Sequence, residues 1–199
     1  MELEILNWIQ TLRTEVGDWL IPWITSLGNA GFIWILLAAV LLAVPRTRRT
    51  GLVLAAALLF DLLFCNLLLK PLAARIRPFD VNTSVQLLIP APQDFSFPSG
   101  HTAASFAAVA ALYLSGGKRL WKAVLLLAVL IAFSRLYLYV HYPTDVLGGA
   151  AVGLFCGWLG NRTVRFASEQ RKRRCRRAEG KQTDSGERSG EGGKRSDDD

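Results

Sequence analysis

The chain has 199 residues, of which 51% are hydrophobic, and its formal net charge is +7 from 23 Lys and Arg against 16 Asp and Glu. Residues 162–199 alone carry 12 of the basic and 8 of the acidic residues, so a very apolar body precedes a polar tail. This separation excludes a soluble nucleic-acid-binding domain as the cause of the high pI. Three cysteines, an odd number with no paired spacing, exclude a disulfide framework or a common zinc site.

Residues 1–20 form the first predicted segment. Their apolar side chains recur at roughly helical spacing but are interrupted by charged ones. This pattern predicts an amphipathic helix lying in the membrane interface, with a sixth membrane span over the same residues as the alternative. The acidic start Met1–Glu4 is followed by no small-residue cleavage site, so no cleaved signal peptide is expected.

Five apolar segments follow, and each resembles a helix that crosses a bilayer, which takes roughly 20 residues. They are predicted at residues 22–44, 51–69, 102–115, 120–139 and 145–161. Two of them are short, which helix tilt or local thinning of the bilayer accommodates. Residues 21–161 are therefore predicted to be a transmembrane domain of the all-α class, an integral membrane helical bundle with five transmembrane helices.

Basic residues fix the expected orientation of the bundle. They cluster at residues 45–49, at 118–119 and from 162 onward, and such clusters belong on the cytoplasmic side of a cell membrane. Residues 162–199 are then a basic cytoplasmic tail, predicted to be disordered because it has little to bury, and its Arg-rich start could contact anionic lipid heads. The loop 70–98 and the link 140–144 fall on the extracytoplasmic face.

Three cations at the start of that outer loop contradict the charge rule. Lys70, Arg75 and Arg77 lie where positive charge is disfavoured. Phosphate recognition would explain them, because the arginine side chain is a planar fork of donors that matches phosphate oxygens. Snorkelling cations at a helix end are the alternative, and Arg75 can be a secondary phosphate contact or a surface cation.

The same loop ends at a predicted helix start. Ser99 suits the N-cap position, Gly100 lets a ligand approach the backbone, and His101 stands in the first turn. Because the free N–H groups and positive dipole of a helix amino terminus attract phosphate, His101 would lie close to a bound anion. A capping or interfacial histidine is the alternative for His101 alone.

A third polar cluster surrounds the second of the chain's two histidines. Arg135 lies inside the predicted fourth span, where a charge is expensive and indicates function. His141 and Asp145 are four residues apart, and a carboxylate beside an imidazole fixes its tautomer and makes the other nitrogen a better nucleophile. A capping contact at the next helix start is the alternative for this pair.

Together these residues match three motifs, Lys-x6-Arg-Pro, Pro-Ser-Gly-His and Ser-Arg-x5-His-x3-Asp. They stand at Lys70–Pro78, Pro98–His101 and Ser134–Asp145, and all eleven fixed positions are present in order. The chain therefore resembles the type-2 phosphatidic acid phosphatase superfamily of integral membrane phosphatases. The motifs and spans cover residues 22–161, and members of that family commonly have six spans.

This resemblance implies a phosphatase with a phosphohistidine mechanism that needs no metal or cofactor. It implies that His141 attacks phosphorus, that Asp145 orients His141, and that His101 protonates the leaving oxygen and then activates water. The residues implied to bind the phosphoryl oxygens are Lys70, Arg77, Ser99, Gly100 and Arg135.

The predicted substrate is a lipid phosphate or diphosphate at the outer face, with undecaprenyl diphosphate as the leading choice. Phosphatidylglycerophosphate and phosphatidate are the alternatives within the family. Two alternatives come from other functional classes. One is a non-catalytic lipid-binding protein on the same fold, and the other is a small transporter with Asp61 and Arg135 in its pathway. Membrane lipids are expected partners and nucleic acid is not, and the sequence does not fix the oligomeric state.

Overall fold

The computed structural model describes residues 1–116 and 119–191, and every regular element in this part of the chain is a helix. This confirms the predicted all-helical class for these residues. Met1–Thr163 form one compact unit that contains the predicted site, and a second unit begins at Val164. The helices are α1 Glu2–Thr11, α2 Glu15–Leu27, α3 Phe32–Ala43, α4 Arg48–Asp61, α5 Lys70–Ala73, α6 Pro78–Val81, α7 Gly100–Leu114, α8 Leu120–Tyr137 and α9 Pro143–Glu191.

Two segments are long and apolar enough to cross a membrane, Arg48–Val81 and Leu120–Tyr137, and a bent pair of helices over Glu15–Ala43 is a third candidate. The first of these contains the predicted second span, and the other two overlap most of the predicted fourth and first spans. The predicted third span corresponds to α7, an apolar helix of 15 residues that is shorter than a full span. The described residues thus support a membrane protein with two to three candidate spans, and the number five stays a prediction.

The predicted first span is broken rather than continuous. A 3-10 turn, Asn29–Gly31, separates α2 from α3, and the two halves are bent by 43°. Ala30 has φ 50° and Gly31 has φ 69°, so the backbone is left-handed here and a right-handed helix cannot continue. The prediction of one helix over residues 22–44 is therefore wrong, and α2 instead packs against α8.

The amino-terminal segment forms two helices instead of the single helix predicted over residues 1–20. The second begins after Thr14, whose Oγ1 accepts a hydrogen bond of 3.1 Å from the backbone N–H of Gly17. Leu6 and Ile9 of α1 are buried in a cluster with three tyrosines that lie at or after the end of α8, Tyr137, Tyr139 and Tyr142. Helix α1 is thereby attached to the segment that carries His141.

Helix α4 continues into a π-helical segment, Leu62–Leu69, which leads directly to Lys70 in α5. A π-helical stretch adds residues to each turn and changes the direction of the side chains after it, and such stretches are frequent at functional sites. Lys70 is buried at the end of this segment. The unusual helical geometry therefore precedes the first residue of the first motif.

Glycines on α9 allow α7 to approach it closely. A Cβ atom at Gly149 would lie 2.6 Å from the carbonyl oxygen of Ser99, and one at Gly153 would collide with the backbone of Ala103. Small residues at such crossings let two helix backbones meet. As a result, the backbone N–H of Ser99 donates a 3.0 Å hydrogen bond to the carbonyl of Asp145, so the second and third motifs are held together.

The polar segment after Asn161 belongs to α9 as far as Glu191. Its composition predicted disorder, whereas the structure has helix there, and Arg, Lys, Glu and Gln in this segment are all good helix formers. Residues 192–199, also included in the predicted tail, lie outside the described residues.

Candidate active site

Six of the eight predicted site residues line one cavity of about 450 Å³, which we call the polar cavity: Lys70, Arg77, Gly100, His101, Arg135 and His141. The cavity lies among α2, the start of α7, the end of α8 and the segment between α6 and α7. The remaining two residues, Ser99 and Asp145, are fully buried, and their backbones are hydrogen-bonded to each other. The structure therefore brings all three motifs to one place.

His141 lies in the link between α8 and α9 with only 2% of its surface exposed. Its Nε2 is 3.3 Å from a terminal nitrogen of Arg77. Because a guanidinium can only donate hydrogen bonds, Nε2 must act as the acceptor, and the ring proton then belongs on Nδ1. Nδ1 is 3.5 Å from Oδ2 of Asp145, longer than a normal hydrogen bond, so the carboxylate faces the ring proton without a tight hydrogen bond to it.

The protonation state of His141 follows from its surroundings. Burial lowers the pKa of His141 to about 3, and the cations Arg135 and Arg77 add to this lowering while Asp145 opposes it. The imidazole is therefore neutral at neutral pH, with the lone pair of Nε2 at the cavity wall. A neutral imidazole beside a carboxylate has the properties of a nucleophile.

Asp145 is completely buried, and both of its carboxylate oxygens have donors. Oδ2 accepts hydrogen bonds from Oγ of Ser96 at 2.5 Å and from the backbone N–H of Tyr142 at 2.9 Å. Oδ1 accepts one from Arg75 at 2.6 Å. Donors on both oxygens stabilise the charged carboxylate in a buried place and fix its orientation toward His141.

Three buried cations surround the cavity, and two of them share one carboxylate. Asp94 contacts Nζ of Lys70, and its Oδ1 accepts a 2.6 Å hydrogen bond from Arg77. Although burial alone would raise it, these two cations lower the pKa of Asp94 to about 2. Arg77 also donates to the carbonyl of Val140, next to the nucleophile candidate, at 2.6 Å.

Arg135, at the end of α8, completes the set of cations. Its terminal nitrogen donates a 2.6 Å hydrogen bond to Oγ1 of Thr25 on α2, and among the described residues its Nε has no partner. A buried guanidinium with an unused donor attracts an anion with free oxygens. Three cations against the one carboxylate of Asp94 thus make the cavity suited to a phosphoryl group.

His101 stands in the first turn of α7, where the sequence placed it. Its Nε2 is 2.9 Å from Oδ1 of Asn29, in the turn between α2 and α3. Ser99 is the N-cap residue of α7, as predicted, but its side chain does not bond to the helix backbone, and its Oγ accepts from Thr102 at 3.0 Å. Gly100 packs closely against the π-helical segment, since a Cβ there would lie 3.1 Å from Oδ1 of Asn66.

A second cavity of about 430 Å³, the apolar cavity, adjoins the first. The two share Lys70, Asp94, Gly100 and His101. Most of the other walls are apolar and come from α3, α4, the π-helical segment and α7, with Ile35, Leu58, Leu62 and Ala104 among them. The polar site therefore opens into a space between helices that suits a hydrocarbon chain.

Sequence reasoning missed several residues that contact the motif side chains. Asp94, Ser96, Thr25 and Asn29 carry no motif signal, although the Gly-Asn-Ala-Gly run around Asn29 indicates a helix break. Arg75 was predicted as a secondary phosphate contact or a surface cation, and in the structure its guanidinium binds Asp145 and Glu2. Within residues 1–116 and 119–191, no group of three or more His, Cys, Asp or Glu side chains could hold a metal ion.

Comparison with known proteins agrees with the motifs. The model of the PAP2 superfamily matches residues 50–169. An undecaprenyl-diphosphatase from Sulfolobus acidocaldarius is 34% identical over 64% of this chain, which spans 62% of that relative. Undecaprenyl-diphosphatase BcrC from Bacillus subtilis is 33% identical over 80% of this chain and 82% of its own length.

Solved structures show the same likeness. The crystal structure of a transmembrane PAP2-type phosphatidylglycerolphosphate phosphatase from Bacillus subtilis has a TM-score of 0.66 and 28% identity, with 84% of each chain covered. The family match, the relatives and the shared fold all point the same way. The chain therefore belongs to the PAP2 superfamily of phosphatases, as its three sequence motifs predicted.

Proposed function

We propose that the chain hydrolyses a lipid phosphate or diphosphate through a phosphohistidine intermediate, using only its own side chains. One observation carries the proposal: two histidines and three buried cations line one polar cavity that opens into an apolar one. The first supplies groups for phosphoryl transfer, and the second supplies room for a lipid tail.

In the first step, Nε2 of His141 attacks phosphorus and the bond from phosphorus to the leaving lipid oxygen breaks. His101 gives its proton to that oxygen, so the lipid product leaves neutral or with one charge less. Asp145 supports the positive charge that develops on the imidazole of His141, because its Oδ2 lies 3.5 Å from Nδ1. The neutral state of His141 in the resting protein supports its assignment as the nucleophile.

In the second step, His101 takes a proton from water, the water oxygen attacks phosphorus, and the bond between phosphorus and Nε2 of His141 breaks. Inorganic phosphate is the product, and both histidines return to their starting states. Lys70, Arg77 and Arg135 would stabilise the charge on the phosphoryl oxygens in both steps, together with the amino terminus of α7, where Ser99 and Gly100 lie.

Undecaprenyl diphosphate is the proposed substrate. Two relatives are named as undecaprenyl-diphosphatases, and the mostly apolar walls of the second cavity suit the first part of a prenyl chain. Phosphatidylglycerophosphate is the second candidate, because the Bacillus subtilis relative of known structure is a phosphatidylglycerolphosphate phosphatase. The same residues would serve either lipid, since both present a terminal phosphate on an apolar tail.

The proposed location is a multi-pass cell-membrane protein with five spans and the active site on the extracytoplasmic face. Basic residues at 45–49 and after 161 support a cytoplasmic position for those segments and for the tail. A single accessible cysteine placed at Thr144, in a background without Cys65, Cys156 and Cys175, tests this in intact cells. Labelling by a membrane-impermeant reagent is expected, and labelling only after permeabilisation would refute the assigned face.

Phosphate release from a lipid panel tests the activity. Detergent-solubilised protein is expected to release phosphate from undecaprenyl diphosphate and, more slowly, from phosphatidylglycerophosphate and phosphatidate. H141Q should abolish turnover and form no acid-labile phosphoenzyme, whereas H101Q should accumulate it. Release from none of these lipids would refute the enzyme proposal, and equal activity of H141Q and the native protein would refute the nucleophile.

A further inference from the structure

Arg75 lies outside the polar cavity but contacts the carboxylate behind the proposed nucleophile. One terminal nitrogen donates to Oδ1 of Asp145 at 2.6 Å and to Oγ1 of Thr144 at 2.7 Å. The other donates to Oε2 of Glu2 at 2.5 Å, and the guanidinium carbon stands 3.9 Å from the ring centre of Tyr142. Both terminal nitrogens of Arg75 therefore already donate to protein acceptors, and the side chain is poorly placed to bind a phosphate in the polar cavity.

The contact with Asp145 is selective for one oxygen. Arg75 binds Oδ1, while Oδ2 faces Nδ1 of His141 and accepts from Ser96. The carbonyl of Arg75 also accepts a 2.9 Å hydrogen bond from the backbone N–H of Ser96. Arg75 thus fixes the rotation of the carboxylate directly and also holds the segment whose hydroxyl binds the other oxygen.

Glu2 on α1 anchors this arginine from the opposite side. Its Oε1 accepts from Oγ1 and the backbone N–H of Thr144, at 2.6 and 3.2 Å, while Oε2 binds Arg75. A row of side chains thus leads away from His141. It runs through Asp145, which is negative, and Arg75, which is positive, to Glu2, which is negative. Each charge has an opposite partner, so neither the buried carboxylate nor the guanidinium stands uncompensated.

We propose that Arg75 is a positioning residue for the Asp145–His141 pair and that Glu2 makes helix α1 part of the catalytic apparatus. The effect on turnover rests on the proposed function. The effect on the imidazole of His141 does not, because it concerns the resting protein. Loss of Arg75 frees Oδ1, lets the carboxylate rotate, and misaligns Nε2 relative to phosphorus.

Kinetics of three variants test the first effect, with R13Q as the matched control. Arg13 also binds a carboxylate at the chain's start, Asp18, and is 24% exposed against 29% for Arg75. R75Q is expected to lower kcat by about 10- to 100-fold with KM unchanged, as a small misplacement of a reacting group does. E2Q should lower kcat by a smaller factor, R75K should restore part of it, and R13Q should stay within about twofold of the native protein.

Nitrogen-15 NMR of the two histidines tests the second effect without any substrate. R75Q is expected to shift the Nδ1 and Nε2 signals of His141 and leave those of His101 in place, with H101Q serving for assignment. R13Q should move neither. If R75Q fails to fold in detergent, R75K and E2Q take its place, because R75K keeps the positive charge beside Asp145 and E2Q keeps Arg75 itself.

The outcomes separate the two proposals. If the nitrogen-15 signals of His141 are unchanged in R75Q, the positioning role is overturned whether or not the protein is a phosphatase. Where R75Q does not fold, unchanged signals in both R75K and E2Q have the same meaning. A rise in KM with unchanged kcat also overturns it, because that result marks Arg75 as a phosphate contact. An inactive native protein whose His141 signals still respond to R75Q refutes the proposed function and supports the positioning role.

Discussion

Replacement of Asp94 by asparagine should strengthen the binding of phosphate. The carboxylate of Asp94 occupies the space between Lys70 and Arg77, two of the cations proposed to bind the substrate. An incoming phosphoryl group must break both of these contacts before it can use the same donors. Asp94 therefore competes with the substrate, and D94N removes the competing charge at almost constant size.

The size of the effect follows from the pKa of Asp94. A fall from 3.8 to about 2 corresponds to about 2.4 kcal/mol of stabilisation of the carboxylate, at about 1.36 kcal/mol per unit of pKa. Because the side chain is 52% exposed, solvent screening reduces this to roughly 1 kcal/mol. An equilibrium constant changes about fivefold for that free energy, so D94N should bind phosphate about five times more tightly.

Competitive inhibition of lipid hydrolysis by inorganic phosphate, at pH 7 and fixed ionic strength, measures this change. The inhibition constant of D94N should be about one fifth of the native value. The matched control is D80N, which makes the same change at an exposed position on α6 and should leave the constant unaltered. A constant that rises in D94N would show that Asp94 holds the cations in place for the substrate, and the reasoning from competition would be wrong.

Three further results are expected. T25V leaves the buried guanidinium of Arg135 without its acceptor and should lower kcat/KM about tenfold. T25S, which keeps the hydroxyl, should stay close to the native rate, and equal rates for T25V and T25S would contradict this. G153A places a Cβ against the backbone of α7 and should destabilise the protein by about 2 kcal/mol, seen as a lower Tm in detergent, whereas A151V on the exposed side of α9 should not. Because the pKa of His141 is lowered from 6.5 to about 3, unfolding takes up a proton there, so the stability present above pH 6.5 declines as the pH falls toward 3. The Tm of H141Q should decline less steeply over this range, and an equal decline would count against a buried neutral imidazole.

The motif residues could be predicted from sequence because their chemistry and spacing are both distinctive. His141 and Asp145 are near in sequence and stay near in space. Lys70, His101 and Arg135 are far apart in sequence; the predicted topology assigns them to one membrane face, and in the structure they line one cavity. Ionisable side chains are rare in or beside membrane spans because they are costly there, so each one indicated a functional position.

The partners of those residues were not predictable in the same way. Asp94 contacts Arg77 across 17 positions, and Thr25 contacts Arg135 across 110, so both pairings depend on the packed structure. The break in the first span is a related case. Hydropathy averages over the whole apolar run and does not register the left-handed backbone at Ala30.

The meeting of the two cavities at Lys70 and His101 has a consequence for how the products leave. Cleavage at that junction would put the apolar alcohol or monophosphate on one side and inorganic phosphate on the other. If the proposed reaction takes place there, each product would have its own exit, the lipid sideways between helices and the phosphate through the polar cavity. In the proposed mechanism water attacks phosphorus from the side that the lipid oxygen leaves, so crowding of the membrane with product lipid would delay the release of phosphate as well.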